Sequence, residues 1–267
     1  MPYSNDPANR VTPRILIVAG SDSGGGAGIQ ADIKTVSSLG GHAMTAVTAI
    51  TAQNTVGVQA VMAVPTSMVV AQMRSCIDDI GVDAIKIGMI GSAETARAVT
   101  EVLVDMKVPV VFDPVMVATS GDSLADLATI AAFERLVAVA TVTTPNLPEL
   151  EALGGLDRLI PLLTSNNFLL QKGGHAVGPQ LHDILFDRLG EVTGWLADRI
   201  DTTSTHGTGC TLASAIAVEL ARGSCIIDAV TSAREFVRAS LERAPGLGQG
   251  HGPMGQQFTN ECRSFGG

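Results

Sequence analysis

The sequence contains few charged residues, and more of them are acidic than basic. Charged residues make up 16% of the 267 residues, against 46% hydrophobic residues and 29 glycines. This composition predicts an α/β domain whose sheet is covered by helices on both faces and joined by tight turns. The formal net charge of −9 argues against binding to nucleic acid or to an anionic membrane surface. A site for anionic phosphates would have to concentrate positive charge locally.

Cysteine and histidine are too sparse to indicate a disulfide framework or a metal centre. The four cysteines lie far apart in the sequence, with no C-x-x-C pair. They predict reduced thiols and therefore a cytoplasmic protein. The five histidines show no H-E-x-x-H or other ligand spacing, so no transition-metal site is indicated.

One long stretch lacks charge but is not predicted to span a membrane. No Asp, Glu, Lys or Arg occurs between Thr35 and Met73. Turn-forming residues divide it into pieces too short to cross a bilayer: Gly40, Gly41, Gln53, Asn54, Gly57 and Pro65. We therefore expect buried strands and their turns here, and no membrane association.

The length is typical of a single α/β domain, which we place at residues 14–244. Residues 1–13 are polar, lack an apolar core and are expected to form a flexible leader. Residues 245–267 are rich in glycine and are expected to form a tail.

Apolar runs bounded by glycine and polar residues predict most of the strands and helices. The predicted strands are Arg14–Gly20, His42–Ala52, Val58–Val64, a run from Pro109 that ends at Asp113, Val139–Thr143, Phe168–Lys172, His182–Asp187 and Val192–Ile200. The predicted helices are Ile29–Leu39, Thr66–Ile80, Ala93–Met106, Thr211–Arg222 and Cys225–Arg243. The small polar residues from Ala118 to Asp122 are typical of a mobile flap.

A short glycine-containing turn, Thr205–Thr211, precedes an alanine-rich helix. Gly207 and Gly209 allow the backbone to bend so that several N–H groups point the same way, and the helix start adds unpaired donors and a positive dipole end. Such a turn would bind phosphate or a developing oxyanion, although many tight strand-to-helix turns also contain Gly and Thr. Cys210, at the helix start, is expected to have a lowered pKa and to act as a base or charge partner. A buried, inert cysteine is the alternative.

A second glycine-rich loop follows the first predicted strand. Gly26-x-Gly28-x-x-Ala31 has the spacing of a dinucleotide fingerprint, but no acidic residue lies between Lys34 and Cys76 to bind a ribose. A phosphate-binding P-loop is excluded as well, because Gly26-Ala27 occupies the place of Lys-Ser/Thr. The loop therefore predicts a close approach of the backbone to a small ligand.

These segments together resemble the ribokinase-like kinases. His206-Gly207-Thr208-Gly209-Cys210 is similar to the anion-hole motif of that superfamily, whose last position is usually Asp. Cysteine at this position, the run Ala19–Asp32 and the sequence Lys86-x-Gly88-Met89 resemble the hydroxymethylpyrimidine/phosphomethylpyrimidine kinases of thiamine biosynthesis. The resemblance extends from about residue 14 to about residue 244. It implies a three-layer α/β/α fold with a central, mostly parallel sheet.

The resemblance also implies an activity and its partners. Members phosphorylate 4-amino-5-hydroxymethyl-2-methylpyrimidine and then its monophosphate, with ATP as co-substrate and Mg²⁺ as cofactor, and are usually homodimers. By position, catalysis is assigned to Gly207, Thr208, Gly209 and Cys210; substrate binding to Gly20, Asp32, Gln53, Met89 and Val115; ATP binding to Asn146, Lys172, Thr202 and His206; and Mg²⁺ to Asp113 and Glu149.

Chemistry supports some of these roles and leaves others open. The Gln53 amide carries one acceptor and two donors, which suits the ring nitrogen and exocyclic amine of an aminopyrimidine. Without the resemblance, Asp32 would be a solvated charge near a helix start, and Met89 a core residue. Asn146-x-x-Glu149 also fits an ordinary helix N-cap with an acid in the first turn.

The sequence departs from the family pattern in two places. No lysine precedes His206, where most relatives have one, so either ATP phosphates bind more weakly or Lys172 compensates. The connection from Glu149 to Lys172 is shorter than usual, which predicts that part of a helix is missing. Alternative functions are therefore a pyridoxine or pyridoxal kinase, or a pyrimidine-binding protein that has lost catalysis. A sugar kinase is less expected, because Asp would replace Cys210.

Overall fold

A computed structural model describes residues 12–117, 121, 124–174 and 178–259 of the chain. Most of the predicted leader, the last eight residues of the predicted tail, and the predicted flap except Gly121 lie outside the described residues. Among the described residues, no helix is long and apolar enough to cross a membrane.

The described strands form one nine-stranded sheet. They are β1 (Arg14–Asp22), β2 (His42–Gln53), β3 (Val58–Ala63), β4 (Ala84–Ile87), β5 (Val110–Phe112), β6 (Val142–Thr143), β7 (Phe168–Gln171), β8 (Gln180–Asp187) and β9 (Gly190–Asp198). Their order is β3-β2-β1-β4-β5-β6-β7-β8-β9. The six central strands of this order are parallel: β2, β1, β4, β5, β6 and β7. At the two edges, β3 and the β8–β9 hairpin pair antiparallel.

Helices cover both faces of this sheet. They are α1 (Gly28–Ser38), α2 (Thr66–Asp79), α3 (Ala93–Leu103), α4 (Leu127–Val139), α5 (Leu147–Ala152), α6 (Leu156–Leu159), α7 (Thr208–Ala221) and α8 (Ile226–Glu242). Because side chains alternate along a strand, Leu16 and Val18 of β1 face the core under α2, α3 and α4, while Ile15 and Ile17 face the core under α1, α7 and α8. The predicted three-layer α/β/α fold is confirmed.

The predicted elements differ from the observed ones mainly at their ends. Strand β1 continues two residues past Gly20, because Ser21 and Asp22 still pair with β2 after a bulge. Helix α4 has no counterpart in the sequence prediction. The connection between Glu149 and Lys172, predicted to lack part of a helix, contains the short helices α5 and α6 and a 3₁₀ turn at Ile160–Leu162.

The segment after Ala244, expected to be a tail, packs against the domain as far as it is described. Met254 and Gln256 are almost completely buried. The Gln256 side chain donates to Thr211 Oγ1 in α7 at 3.0 Å, and the Gly255 N–H donates to the Ser240 carbonyl in α8 at 2.9 Å. This segment therefore holds the two helices together on one face of the sheet.

Candidate active site

A cavity of about 900 Å³ opens at the carboxyl edge of the parallel strands. Ligands in open α/β sheets bind at this edge. The cavity is lined by nearly every site residue expected from the sequence: Gly20, Gln53, Met89, Asp113, Val115, Asn146, Glu149, Lys172, Thr202, His206, Gly207, Thr208, Gly209 and Cys210. The fold thus brings together residues that are up to 190 positions apart, as between Gly20 and Cys210.

The glycine-containing turn before α7 is built by close packing against the other glycine-rich loop. Gly207 is the N-cap of α7 and has a φ of 85°, in the left-handed region. A Cβ on Gly207 would lie 2.1 Å from the Gly26 carbonyl oxygen, so only glycine fits. The first turn of α7 lines the cavity at Thr208, Gly209 and Cys210. A helix start has unpaired backbone N–H groups and a positive dipole end, although the Thr208 N–H here donates to the Thr205 carbonyl at 3.4 Å.

Asp22 and His206 join the two loops. The Asp22 carboxylate accepts the N–H groups of Gly24, Gly26 and Ala27 at 2.8–3.0 Å and lies 3.0 Å from His206 Nε2. Burial alone would raise the pKa of Asp22, but the hydrogen bonds from His206 and the loop backbone lower it below its ordinary value. Sequence reasoning missed Asp22, although an acid before a run of glycines is typical of a side chain that caps its own turn.

His206 lies beside Gln53 in the cavity wall, and its assignment to ATP stays a prediction. Its Nε2 lies 3.2 Å from the Gln53 amide nitrogen as well as beside Asp22. Thr51 Oγ1 lies 3.2 Å from the Gln53 amide oxygen. The Gln53 amide is therefore held at the cavity wall by contacts on both of its polar atoms.

Asp32 does not line the cavity as we expected. Its side chain is fully buried, with Oδ2 2.8 Å from Lys86 Nζ and Oδ1 accepting from Ser214 Oγ at 2.8 Å. Helix α1 turns Asp32 toward the sheet, where the charge of Lys86 on β4 compensates for its burial. Lys86, and not Asp32, contributes to the cavity wall. Burial alone would lower the pKa of Lys86, but Asp32, Cys210 and Asp113 raise it, so this lysine is charged.

A carboxylate–lysine cluster faces the start of α7. Lys172 Nζ lies 2.6 Å from Asp113 Oδ1 and 3.8 Å from Glu149 Oε2. Thr144 Oγ1 also donates to Asp113 Oδ1, at 3.0 Å. A Cβ on Gly209 would lie only 3.1 Å from Asp113 Oδ2 and 3.2 Å from Lys172 Nζ. The charge of Lys172 is therefore shared with two carboxylates before any ligand binds.

Glu149 is positioned by the N-terminus of α5. The Asn146 side chain accepts the Glu149 N–H at 2.9 Å, and the Glu149 carboxylate accepts the Asn146 N–H at 2.8 Å, which is a capping box. The helix N-cap is therefore confirmed for this pair of residues, and their assignment to ATP and Mg²⁺ stays a prediction. Burial raises the pKa of Glu149 to about 7, Lys172 opposes this shift, and Asp113 adds to it.

The expected lowering of the Cys210 pKa was wrong. Burial raises the pKa of the Cys210 thiol to about 11, and Lys86 only partly offsets this effect. Desolvation of the thiolate thus outweighs the nearby positive charge. Cys210 is therefore a neutral thiol at pH 7.

Three arginines that sequence reasoning missed line the cavity near β9 and α8: Arg199, Arg234 and Arg238. Arg234 Nε bonds Asp183 Oδ2 at 2.7 Å, and its guanidinium lies 5.9 Å from the centre of the Trp195 ring. Arg238 Nη1 donates to the Asp198 carbonyl at 2.7 Å. These residues concentrate positive charge on one side of the cavity of an acidic protein. Arg199 is close in sequence to the glycine-containing turn, but Arg234 and Arg238 belong to α8, and only the fold brings them to the same cavity.

The three-layer fold, the glycine-containing turn and the opposed carboxylate–lysine cluster define a ribokinase-like small-molecule kinase. A family model described as phosphomethylpyrimidine kinase matches residues 22–255. The chain belongs to this family and is a phosphotransferase.

Individual relatives agree with this assignment. The chain is 46% identical to the hydroxymethylpyrimidine/phosphomethylpyrimidine kinase of Streptomyces coelicolor over 261 residues, 93% of this chain and 96% of the relative. It is similar to the phosphomethylpyrimidine kinase of Clostridium difficile, with 35% identity and a TM-score of 0.70 over 85% of this chain and 98% of that one. It is also similar to the pyridoxal kinase of Staphylococcus aureus in complex with AMP-PCP and pyridoxal, with 29% identity and a TM-score of 0.82 over 94% and 96%.

Proposed function

We propose that the protein transfers the γ-phosphoryl group of ATP to 4-amino-5-hydroxymethyl-2-methylpyrimidine and then to its monophosphate, as a step of thiamine biosynthesis. The observation that carries this proposal is the cavity itself. The anion-binding turn at Gly207–Cys210 and the cluster of Asp113, Glu149 and Lys172 face each other within it. Family membership and the name of the Streptomyces coelicolor relative support the substrate class.

The acceptor binds on the side of β1, β2 and β4. We assign its contacts to Gly20, Gln53, Met89 and Val115. Asp32 does not contact the acceptor but positions Lys86 in the cavity wall. A Cβ on Gly20 would lie 2.9 Å from Met89 Sδ, so glycine lets the Met89 side chain pack directly against β1 in the cavity wall. The Gln53 amide can donate to and accept from an aminopyrimidine edge at once.

The nucleotide binds on the side of β7 and α7. We assign its contacts to Asn146, Lys172, Thr202 and His206. His206 is included because it directly precedes the Gly207–Cys210 turn. Two buried carboxylates, Asp113 and Glu149, fit Mg²⁺, which takes oxygen ligands and usually needs only one or two carboxylates beside substrate phosphates. When bound, Mg²⁺ would neutralise phosphate charge.

The residues of this chain catalyse mainly by positioning and by charge. The first-turn N–H groups at Thr208–Cys210 bind the transferred phosphoryl group, whose loose transition state spreads negative charge over its oxygens. Lys172 and Lys86 add positive charge on either side of it. Because its pKa is raised, Cys210 serves as a neutral hydrogen-bond partner at the acceptor oxygen and not as the base. The acceptor oxygen bonds to the γ-phosphorus as the bond to the β,γ-bridging oxygen of ATP breaks, and the hydroxyl proton passes to an oxygen of the transferred phosphoryl group.

The first test is ADP release at saturating MgATP, with the hydroxymethylpyrimidine and with pyridoxine as acceptors. We expect turnover of the pyrimidine. Cys210→Ala should lower kcat by roughly 10²-fold or more, as for the loss of one transition-state contact. Cys225→Ala is the matched control, because Cys225 is an exposed thiol at the N-cap of another helix, α8. Equal rates for wild type and Cys210→Ala would refute the catalytic role of this residue.

Pyridoxine is the second acceptor for a specific reason. The pyridoxal kinase of Staphylococcus aureus has the higher TM-score, 0.82 against 0.70 for the phosphomethylpyrimidine kinase of Clostridium difficile. Turnover of pyridoxine alone would show that the protein is a pyridoxine or pyridoxal kinase. Pyrimidine binding without turnover of either acceptor would indicate a binding protein that has lost catalysis.

We also propose a cytoplasmic homodimer. The described cysteines Cys76, Cys210 and Cys225 are free thiols, which suits a reducing compartment. Strand β3 is an edge of the sheet. Met62 on β3 pairs directly with Ile50 on β2, and the two apolar side chains are 61% and 47% exposed on one face. An exposed apolar edge of this kind favours association with a second copy.

A further inference from the structure

The glycine-rich residues 248–255, here called the C-terminal strap, run along one edge of the cavity, which His251 lines. The His251 N–H donates to the Thr55 carbonyl at 2.9 Å, just after β2. The Gly252 N–H donates to the Thr203 carbonyl at 3.2 Å, just before the anion-binding turn. A Cβ on Gly250 would lie 2.1 Å from the Thr55 carbonyl oxygen, so this close approach requires glycine. The strap thus connects the acceptor side of the cavity to its anion-binding side.

The strap places one titratable side chain in the cavity. His251 lines it and is exposed, and its Nδ1 lies 3.0 Å from Thr205 Oγ1. When the Thr205 hydroxyl donates to Nδ1, the imidazole carries its proton on Nε2; when the ring is protonated, Nε2 again carries a proton. In the described part of the chain, no protein group bonds His251 Nε2. In both of these forms the Nε2–H is available to a ligand, whereas a neutral ring that donates from Nδ1 to Thr205 would present only a lone pair at Nε2.

Three of the other cations around the cavity already have carboxylate partners, and a fourth, Arg238, donates to the Asp198 carbonyl. Lys86 is paired with Asp32, Lys172 with Asp113, and Arg234 with Asp183. His251 differs from them because its bonded side-chain partner is the uncharged Thr205, next to His206 and Gly207. Its Nε2–H therefore offers a donor at the anion-binding turn that no carboxylate competes for.

We propose that His251 is a phosphate-binding residue, whose Nε2–H donates to a phosphoryl oxygen held at the Gly207–Cys210 turn. This inference rests on the proposed kinase function. The phosphoryl oxygen belongs either to ATP or to the monophosphate of the pyrimidine, and the same chemistry recognises both.

The test is equilibrium binding of three probes to the full chain by calorimetry: Mg²⁺ with AMP-PCP, the pyrimidine monophosphate, and the unphosphorylated pyrimidine. His251→Ala should weaken at least one phosphate ligand about tenfold or more, as for the loss of a hydrogen bond to a charged group, and change the pyrimidine Kd less than twofold. His251→Gln, which keeps an N–H donor, should recover part of this affinity. His42→Ala is the matched control, because His42 is an exposed histidine at the opposite end of the parallel strand β2.

The pattern of losses distinguishes the sources and the alternatives. If only the affinity for AMP-PCP falls, His251 binds a phosphate of ATP. If only the affinity for the pyrimidine monophosphate falls, His251 binds the phosphate of the acceptor. Unchanged affinity for both phosphate ligands would overturn the proposal, as would an equal loss for the unphosphorylated pyrimidine, which would mean that His251 only positions the strap. If His251→Ala fails to fold, Thr205→Val removes only the hydroxyl that orients the imidazole, and the same selective loss is expected. Absence of turnover in the wild type would refute the proposed function, whereas these binding constants would still test His251.

Discussion

Glu149 shows how a single side chain can couple stability to pH. Its pKa in the folded protein, about 7, is above its ordinary value of 4.5, so the folded state holds a proton that the unfolded chain has released. The stabilisation from this group is complete below the unfolded pKa and is lost as the pH rises from about 4.5 to about 7. At about 1.36 kcal/mol per pKa unit, the loss is on the order of 3 kcal/mol.

Glu149→Gln should remove most of this decline. Glutamine can still accept the Asn146 N–H in the capping box, but it carries no charge at any pH. Melting temperatures measured from pH 4.5 to 8 should therefore fall with pH in the wild type more steeply than in the variant. Glu101→Gln, which changes an exposed glutamate on α3, is the control and should follow the wild type. Parallel curves for wild type and Glu149→Gln would contradict the assignment.

For single residues, the sequence identifies which side chains surround the site better than it identifies whether each one is buried or charged. The carboxyl ends of the predicted strands indicated Gln53, Asp113 and Lys172, because parallel strands end at one edge. The partners that set the charge of each group come from distant segments. Lys86, 54 positions from Asp32, explains why that carboxylate is buried. The raised pKa of Cys210 likewise depends on its burial, which a helix position alone does not reveal.

Between the elements, the contact of the two glycine-rich loops determines the shape of the anion-binding turn. Gly207 needs a left-handed φ of 85°, and any Cβ would clash with the Gly26 carbonyl. Gly207→Ala should therefore separate the loops, break the alignment of the first-turn N–H groups and lower kcat/KM by roughly 10²-fold or more. Steady-state ADP release measures this loss.

Gly155→Ala is a matched control for this substitution. Gly155 is also a helix N-cap with a positive φ, 80°, but a Cβ there would have no atom within 4 Å. Gly207 is in the left-handed region, whereas the ψ of −179° puts Gly155 in a region that essentially only glycine populates, so Gly155→Ala carries at least as much backbone strain. Only Gly207→Ala should nevertheless lose activity. Similar activity losses in the two variants would show that the backbone strain, and not the loop contact, is responsible.

Sequence periodicity predicted the elements well and their contacts poorly. The apolar runs located eight of the described strands and five of the helices, because burial on one or both faces sets the pattern of each run. The segment after Ala244 has no such run. Its glycines are needed for close approaches to Thr55 and Arg243, and these approaches are visible only when the partners are in place.

For the whole molecule, the exposed pair Ile50 and Met62 is where we expect two copies to meet. Met62→Lys places a charge at the centre of this face, and burying that charge without a partner would cost several kcal/mol. We expect the wild type to have twice the chain mass of 27.5 kDa in light scattering, and Met62→Lys to have the monomer mass. Leu189→Lys, at the exposed turn between β8 and β9 near the opposite edge of the sheet, should remain dimeric. A monomeric wild type, or a dimeric Met62→Lys, would exclude this face as the interface.

Because β2 continues from Ile50 to Gln53 in the cavity wall, a change in acceptor KM on dissociation would link assembly to the active site.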